Sequence, residues 1–131
     1  MRLFLFVIII ILLSCKKNDE SLYNEWNLIS YIKGPGEVIT NSGFRIKINF
    51  YQNENFTVKM NTNMCQGNFS AGVREFNVIN LSCDTFCCDS NLSVEAINLI
   101  KDSVETYNIN GKTLKLYGGN FTKLEFTIAE L

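Results

Sequence analysis

The chain has 131 residues, a formal charge of −1, no histidine, and apolar side chains at 47% of its positions. The missing histidine removes Ser-His and Cys-His nucleophiles and imidazole metal ligands from consideration. Nearly balanced charge gives no electrostatic reason for a nucleic acid partner, while the apolar content is enough for one hydrophobic core.

The first element is an apolar run, Leu3 to Leu13, behind Met1-Arg2. It is shorter than the ~20 apolar residues that a membrane-crossing helix needs. It ends in Leu12-Leu13-Ser14-Cys15, which has the form of a lipobox. The expectation is that residues 1–14 are a lipoprotein signal peptide, that diacylglycerol goes onto the Cys15 thiol, and that cleavage leaves acylated Cys15 at the mature N-terminus. Two or more acyl chains anchor stably where one does not. Loss of Arg2 with the leader would move the formal charge to about −2. Residues 15–23, with Lys16-Lys17-Asn18-Asp19-Glu20-Ser21, read as a polar tether. Their charge pattern resembles the short signals that send some bacterial lipoproteins to the outer face of the outer membrane. The expected location is therefore the cell envelope, on the outer membrane, with the lipid bilayer as one partner through Cys15 and the folded domain over residues 24–131.

The body reads as strands. Trp26, Leu28 and Ser30 alternate with Asn27, Ile29 and Tyr31 in a first strand that is apolar on both sides, ended by Gly34-Pro35-Gly36. Ile46, Ile48 and Phe50 alternate with Arg45, Lys47 and Asn49. After a turn at Gln52–Asn55, Phe56, Val58 and Met60 repeat the pattern, so these two segments predict a hairpin with one wet face. Phe76, Val78 and Leu81 predict another strand before Cys83. Over 91–104 the period changes to three or four, through Val94, Ile97, Ile100 and Val104, which predicts an amphipathic helix. Asp89, Ser90, Asn91 and Ser93 are candidate caps, and Glu95 is expected in the first turn, favouring the helix dipole. Tyr107–Ile109 and Thr113–Tyr117 then flank Asn110-Gly111, a strong hairpin signal. Gly118-Gly119-Asn120 makes a second turn, and Leu124, Phe126 and Ile128 close the chain. The predicted class is α+β: a mostly antiparallel sheet or partial barrel with one helix packed on it.

Four cysteines follow Cys15: Cys65, Cys83, Cys87 and Cys88. In an exported chain an even number points to disulfides. A Cys87–Cys88 bond is disfavoured by vicinal geometry. The expected pairing is Cys65 with Cys88 or Cys87, and Cys83 with the remaining one. A four-thiolate zinc site is the weaker alternative, because Cys83-x3-Cys87-Cys88 lacks the C-x2-C knuckle. No Lys or Arg adjoins these cysteines to lower a thiol pKa, which argues against redox chemistry.

The order of these features resembles the META domain of HslJ-type bacterial lipoproteins. The resemblance rests on Trp26 in the first strand and on the box Cys65-Gln66-Gly67-Asn68-Phe69. It continues with Thr85-Phe86-Cys87-Cys88, a helix with Glu95 near its start, and the hairpin Tyr107 to Leu116 around Gly111. The chain departs from the family pattern in Cys83 and Cys87, and in Cys-Gln where Cys-Asn is commoner. The resemblance implies a mostly antiparallel β domain with one packed helix and an envelope role under heat or drug stress. It carries over no catalytic residues. Gly67 is implied to allow close backbone approach, Phe69 to fill the core, and Cys65 to form a crosslink.

Other residues invite chemical readings. Asp84, Asp89, Glu95 and Asp102 lie near the cysteines in sequence, and a carboxylate pair among them would suit acid–base work. Helix capping and solvent exposure are the ordinary roles of such residues. Gly34-Pro35-Gly36 and Gly118-Gly119 precede no helix and read as turns rather than phosphate loops. Five Asn-x-Ser/Thr sequons, at Asn55, Asn68, Asn80, Asn91 and Asn120, reflect an Asn-rich composition rather than glycan attachment. Tyr23, Tyr31, Tyr51 and Tyr117 are candidates for a recognition surface. The expected function is that of a non-enzymatic envelope lipoprotein that binds a protein or small ligand or supports the envelope under stress, with no cofactor or metal. An inhibitor of a hydrolase such as lysozyme is the alternative, and a carboxylate hydrolase using Asp89 or Glu95 the third reading.

Overall fold

The structure, a computed structural model, describes residues 19–40, 45–84 and 88–130. The expected signal peptide, Cys15, and the family-motif residue Thr85 lie outside that range, as does Cys87. Among these residues nine strands form one antiparallel sheet: β1 (Glu25–Ile32), β2 (Val38–Thr40), β3 (Lys47–Phe50), β4 (Asn55–Lys59), β5 (Met64–Ala71), β6 (Phe76–Cys83), β7 (Val104–Asn110), β8 (Thr113–Gly118) and β9 (Lys123–Ile128). The order across the sheet is β6-β5-β4-β3-β1-β9-β8-β7, with β2 paired to the end of β1. The sheet curls until its two ends meet at a single bridge between Glu75 and Thr106. The Tyr107 N–H donates to Arg74 O beside it, at 2.8 Å. Among the described residues the one α-helix, α1 (Asn91–Asp102), packs against β6 and β7. The architecture is a curled partial barrel with a helix on it, an α+β fold.

Alternation places one side chain in two inside this curl. Trp26, Leu28, Ile48, Phe50, Phe56, Val58, Phe69, Leu114, Leu116, Leu124 and Phe126 are all buried. Phe50 sits at the centre of an aromatic cluster, with ring centroids 5.8 Å from Phe56, 5.0 Å from Phe69 and 5.5 Å from Phe76. Read with strict alternation, β1 is apolar on both faces, and the structure corrects this. The β1–β9 register shifts between Leu28 and Ser30, so a bulge changes the parity and Tyr31 points inward like Leu28.

Both ends of the curl are covered. At one end lies α1, with Ser93, Ala96, Ile97 and Ile100 buried at helical spacing. Ser90 caps it through its hydroxyl, which accepts from Ser93 N–H at 3.1 Å. The helix stops at Asp102, two residues short of the periodicity, because Val104 is already paired with Gly118 in β7–β8. At the other end lies the segment 19–24, expected as tether through Tyr23. Instead Glu20–Leu22 forms a 3-10 turn capped by Asp19, and Leu22 is fully buried. Leu22 O accepts from the Trp26 indole N–H at 3.0 Å, and the Asp19 N–H donates to the Tyr107 hydroxyl at 3.0 Å. A tether has no reason to bury a leucine, so the segment 19–24 is part of the folded domain.

Two strands have no counterpart in the sequence pattern. The three-residue β2 is too short to show a period. In β5 the inward positions are Cys65, Gly67 and Phe69, and the glycine breaks the run of large apolar residues. The β7–β8 turn is centred one residue later than Asn110-Gly111. Asn110 pairs with Thr113, so Gly111 and Lys112 form the loop, with Gly111 at φ +57°.

The β5–β6 register brings two cysteines together. Cys65 is bonded to Cys83, not to Cys87 or Cys88 as expected. The two are direct cross-strand neighbours in β5–β6, a relation that the irregular hydrophobic pattern of β5 does not announce. Cys88 lies in an exposed position before α1 with φ +74°. Among the described residues no helix is long and apolar enough to cross a membrane.

Candidate functional site

The carboxylates singled out from sequence are held in structural roles. Asp89 accepts from Thr62 N–H at 2.9 Å, Asn63 N–H at 3.1 Å and the Asn63 side-chain amide at 2.6 Å. It thereby fixes the start of α1 to the β4–β5 turn. Glu95 is not in the first helical turn, which contains no acidic residue. From the second turn it accepts from the buried Tyr31 hydroxyl at 2.8 Å and from the Lys33 ammonium. The Lys33 hydrogen bond, then that of Tyr31, holds the Glu95 carboxyl below the ordinary glutamate range against the opposing effect of burial. Burial first, then Glu95, pushes the Tyr31 phenol up. The clamp ties α1 to the end of β1. Asp84 and Asp102 are exposed and do not join these two in a cluster. No group of three or more metal-ligating side chains occurs among the described residues.

This clamp has a pH signature. A depressed carboxyl pKa stabilises the fold above the unfolded glutamate value, about 4.3, and the contribution is lost as pH falls through the folded pKa. Glu95→Gln keeps an acceptor for Tyr31 but removes the charge facing Lys33. Its stability deficit relative to the native chain is expected at pH 7 and should vanish near pH 3 in urea titrations. A deficit that grew on acidification would contradict the clamp.

The sheet's outer face carries a different constellation. Asn68 on β5 is the cross-strand partner of both Asn55 on β4 and Asn80 on β6. Their side chains form a hydrogen-bonded row. The Asn80 amide donates to Asn68 Oδ1 at 3.1 Å, and the Asn68 amide donates to Asn55 Oδ1. A shallow cleft of about 480 Å³ runs along the row, lined also by Tyr51, Asn53, Thr57 and Gln66. Beneath the row, Gly67 takes an inward position of β5, facing the Phe56 ring. A Cβ there would lie 2.2 Å from Asn80 O and 2.7 Å from the Phe56 ring, so no larger residue fits without displacing the backbone.

The sequons at these three asparagines acquire a meaning here. Asn55-Phe56-Thr57, Asn68-Phe69-Ser70 and Asn80-Leu81-Ser82 each place an amide outward, an apolar residue inward and a hydroxyl outward. The alternation within these three sequons is the sequence signal of the row. Of the tyrosines named above, only Tyr51 reaches the cleft, at 42% exposure. Tyr31 is buried, Tyr23 is half-buried, and Tyr117 stands on β8. Trp26 and Phe69 are core residues and take no part in the surface.

No protein-family model matches the chain, and no curated protein does. Solved structures share its fold. An NMR structure of a protein from Burkholderia xenovorans superposes with a TM-score of 0.66 at 12% identity, covering 83% of each chain. The crystal structure of a DUF4847-family protein from Bacteroides vulgatus ATCC 8482 gives 0.64 at 13% identity, covering 84% of this chain and 95% of that one. A further NMR structure gives 0.56 at 14% identity. At such identities the likeness is one of fold alone.

Proposed function

We propose that this protein is a non-enzymatic envelope lipoprotein, anchored through acylated Cys15, whose META-like domain binds a hydroxyl-rich ligand such as an oligosaccharide on the outer face of β4–β6. The observation that carries the reading is the amide row in its cleft. A carboxamide presents a donor and an acceptor side by side, and a hydroxyl does the same, so the two surfaces match without charge. The lining holds no carboxylate, amine or guanidinium. Tyr51 supplies an amphipathic ring at the margin, suited to the C–H face of a sugar. The interior is filled with aromatic side chains and covered at both ends, which leaves the surface for recognition. Asp89 and Glu95, the carboxylates a hydrolase would need, are engaged in holding α1.

Titration with neutral chito- and cello-oligosaccharides, followed by NMR of the side-chain amide protons, tests this. The Asn55, Asn68 and Asn80 resonances are expected to shift together, equally at pH 5.5 and pH 8. Asn68→Leu should abolish the shifts while leaving the backbone spectrum folded. Unmoved amide resonances, or shifts confined to residues elsewhere, would overturn the reading.

A further inference from the structure

We infer that the hydroxyl-rich ligand is an acidic oligosaccharide, its negative groups received by Arg45, Lys47 and Lys59 beyond the amide row. This inference rests on the proposed amide-row site and extends it along the same face of the sheet.

Lys47 and Lys59 are direct partners in the β3–β4 register, and both are exposed on the outer face. Like charges placed directly opposite in an antiparallel pair destabilise it. The fold alone therefore gives no reason for this pair. Arg45, two residues before Lys47 on the approach to β3, is exposed like it. Its backbone N–H donates to Asn61 Oδ1 at 3.0 Å, which fixes the chain there. The three cations, with Met60 and Asn61, line an open cleft of about 560 Å³. Lys47 is partly neutralised by Glu25 at 2.8 Å, on the β1 side. Among the described residues, Arg45 and Lys59 form no ion pair with an acidic side chain.

The cationic cleft and the amide row belong to one surface. Lys59 lies four residues along β4 from Asn55, about 13 Å at the rise of an extended strand. Between them on the outer face stand Thr57 and its cross-strand partner Gln66, which also line the amide cleft. A ligand a few sugar rings long would thus meet amides, then a hydroxyl with an amide, then positive charge. That sequence of groups fits a sugar chain bearing carboxylate or phosphate substituents.

The test compares an oligogalacturonate with a neutral malto-oligosaccharide of equal length, titrated into the full chain by calorimetry at 20 and 200 mM salt. The acidic sugar is expected to bind about tenfold more tightly at low salt, with the advantage shrinking at high salt as exposed charges are screened. Lys59→Thr and Arg45→Gln should each reduce that advantage and leave neutral binding intact. Lys59→Thr should also raise the melting temperature, through relief of the like-charge pair. Equal affinity for both sugars, with both variants silent, would overturn this inference and leave the amide-row site standing. Failure of both sugars to bind would overturn the site and the inference together.

Discussion

Truncation of Phe50 to alanine is expected to lower the free energy of unfolding by about 4 kcal/mol, within the range for buried Phe→Ala changes. Phe50 is essentially inaccessible to solvent and touches three other rings, from β4, β5 and β6. Each aromatic pair adds to the burial of area through its edge-to-face or tilted geometry. These neighbours come from separate strands, so the void left behind cannot collapse without pulling strands together. Urea denaturation should show a lower midpoint at nearly unchanged slope. Phe50→Leu should recover most of the loss, because volume is largely restored. A deficit below about 1 kcal/mol for the alanine variant would mean that the rings do not form the centre of the core.

Leu22→Ala is expected to cost about 3 kcal/mol, as for a leucine deleted from a well-packed interior. The residue lies in the 3-10 turn that covers one end of the curl, and its carbonyl accepts the Trp26 indole N–H. If residues 19–23 were only a solvated linker, the substitution would change stability by a few tenths of a kcal/mol, as surface changes do. Equilibrium urea titration separates the two cases. Hydrogen exchange adds a second view: the Trp26 indole proton should be protected in the native chain and exchange faster in the variant.

Much of the sheet was legible because its hydrophobic period is intact. Ile46-Ile48-Phe50, Phe56-Val58-Met60 and Leu124-Phe126-Ile128 each show a clean alternation, and each forms a strand or continues into one. The helix was legible from Ile97 and Ile100 and from the cap at Ser90. What escaped lay where another constraint replaced bulk apolar side chains. Gly67 sits under the Phe56 ring and breaks the pattern of β5, and with that strand hidden, the Cys65–Cys83 contact was hidden too. The bulge at Leu28–Ser30 reversed parity within β1 in a way no local pattern announces. The amide row was visible as three sequons but needed the cross-strand register to become a surface.

The seam of the curl has a consequence for self-association. Beyond the bridge at Glu75, β6 ends the path of paired strands, and a terminal strand of this kind invites a foreign chain to add alongside it. The covalent link from Cys83 to Cys65 pins the far end of β6 to β5, while the bridge to Thr106 pins the near end. In the oxidised protein, β6 cannot peel away and be lent to a second molecule. Oxidation thus guards β6 against strand exchange between copies of the chain.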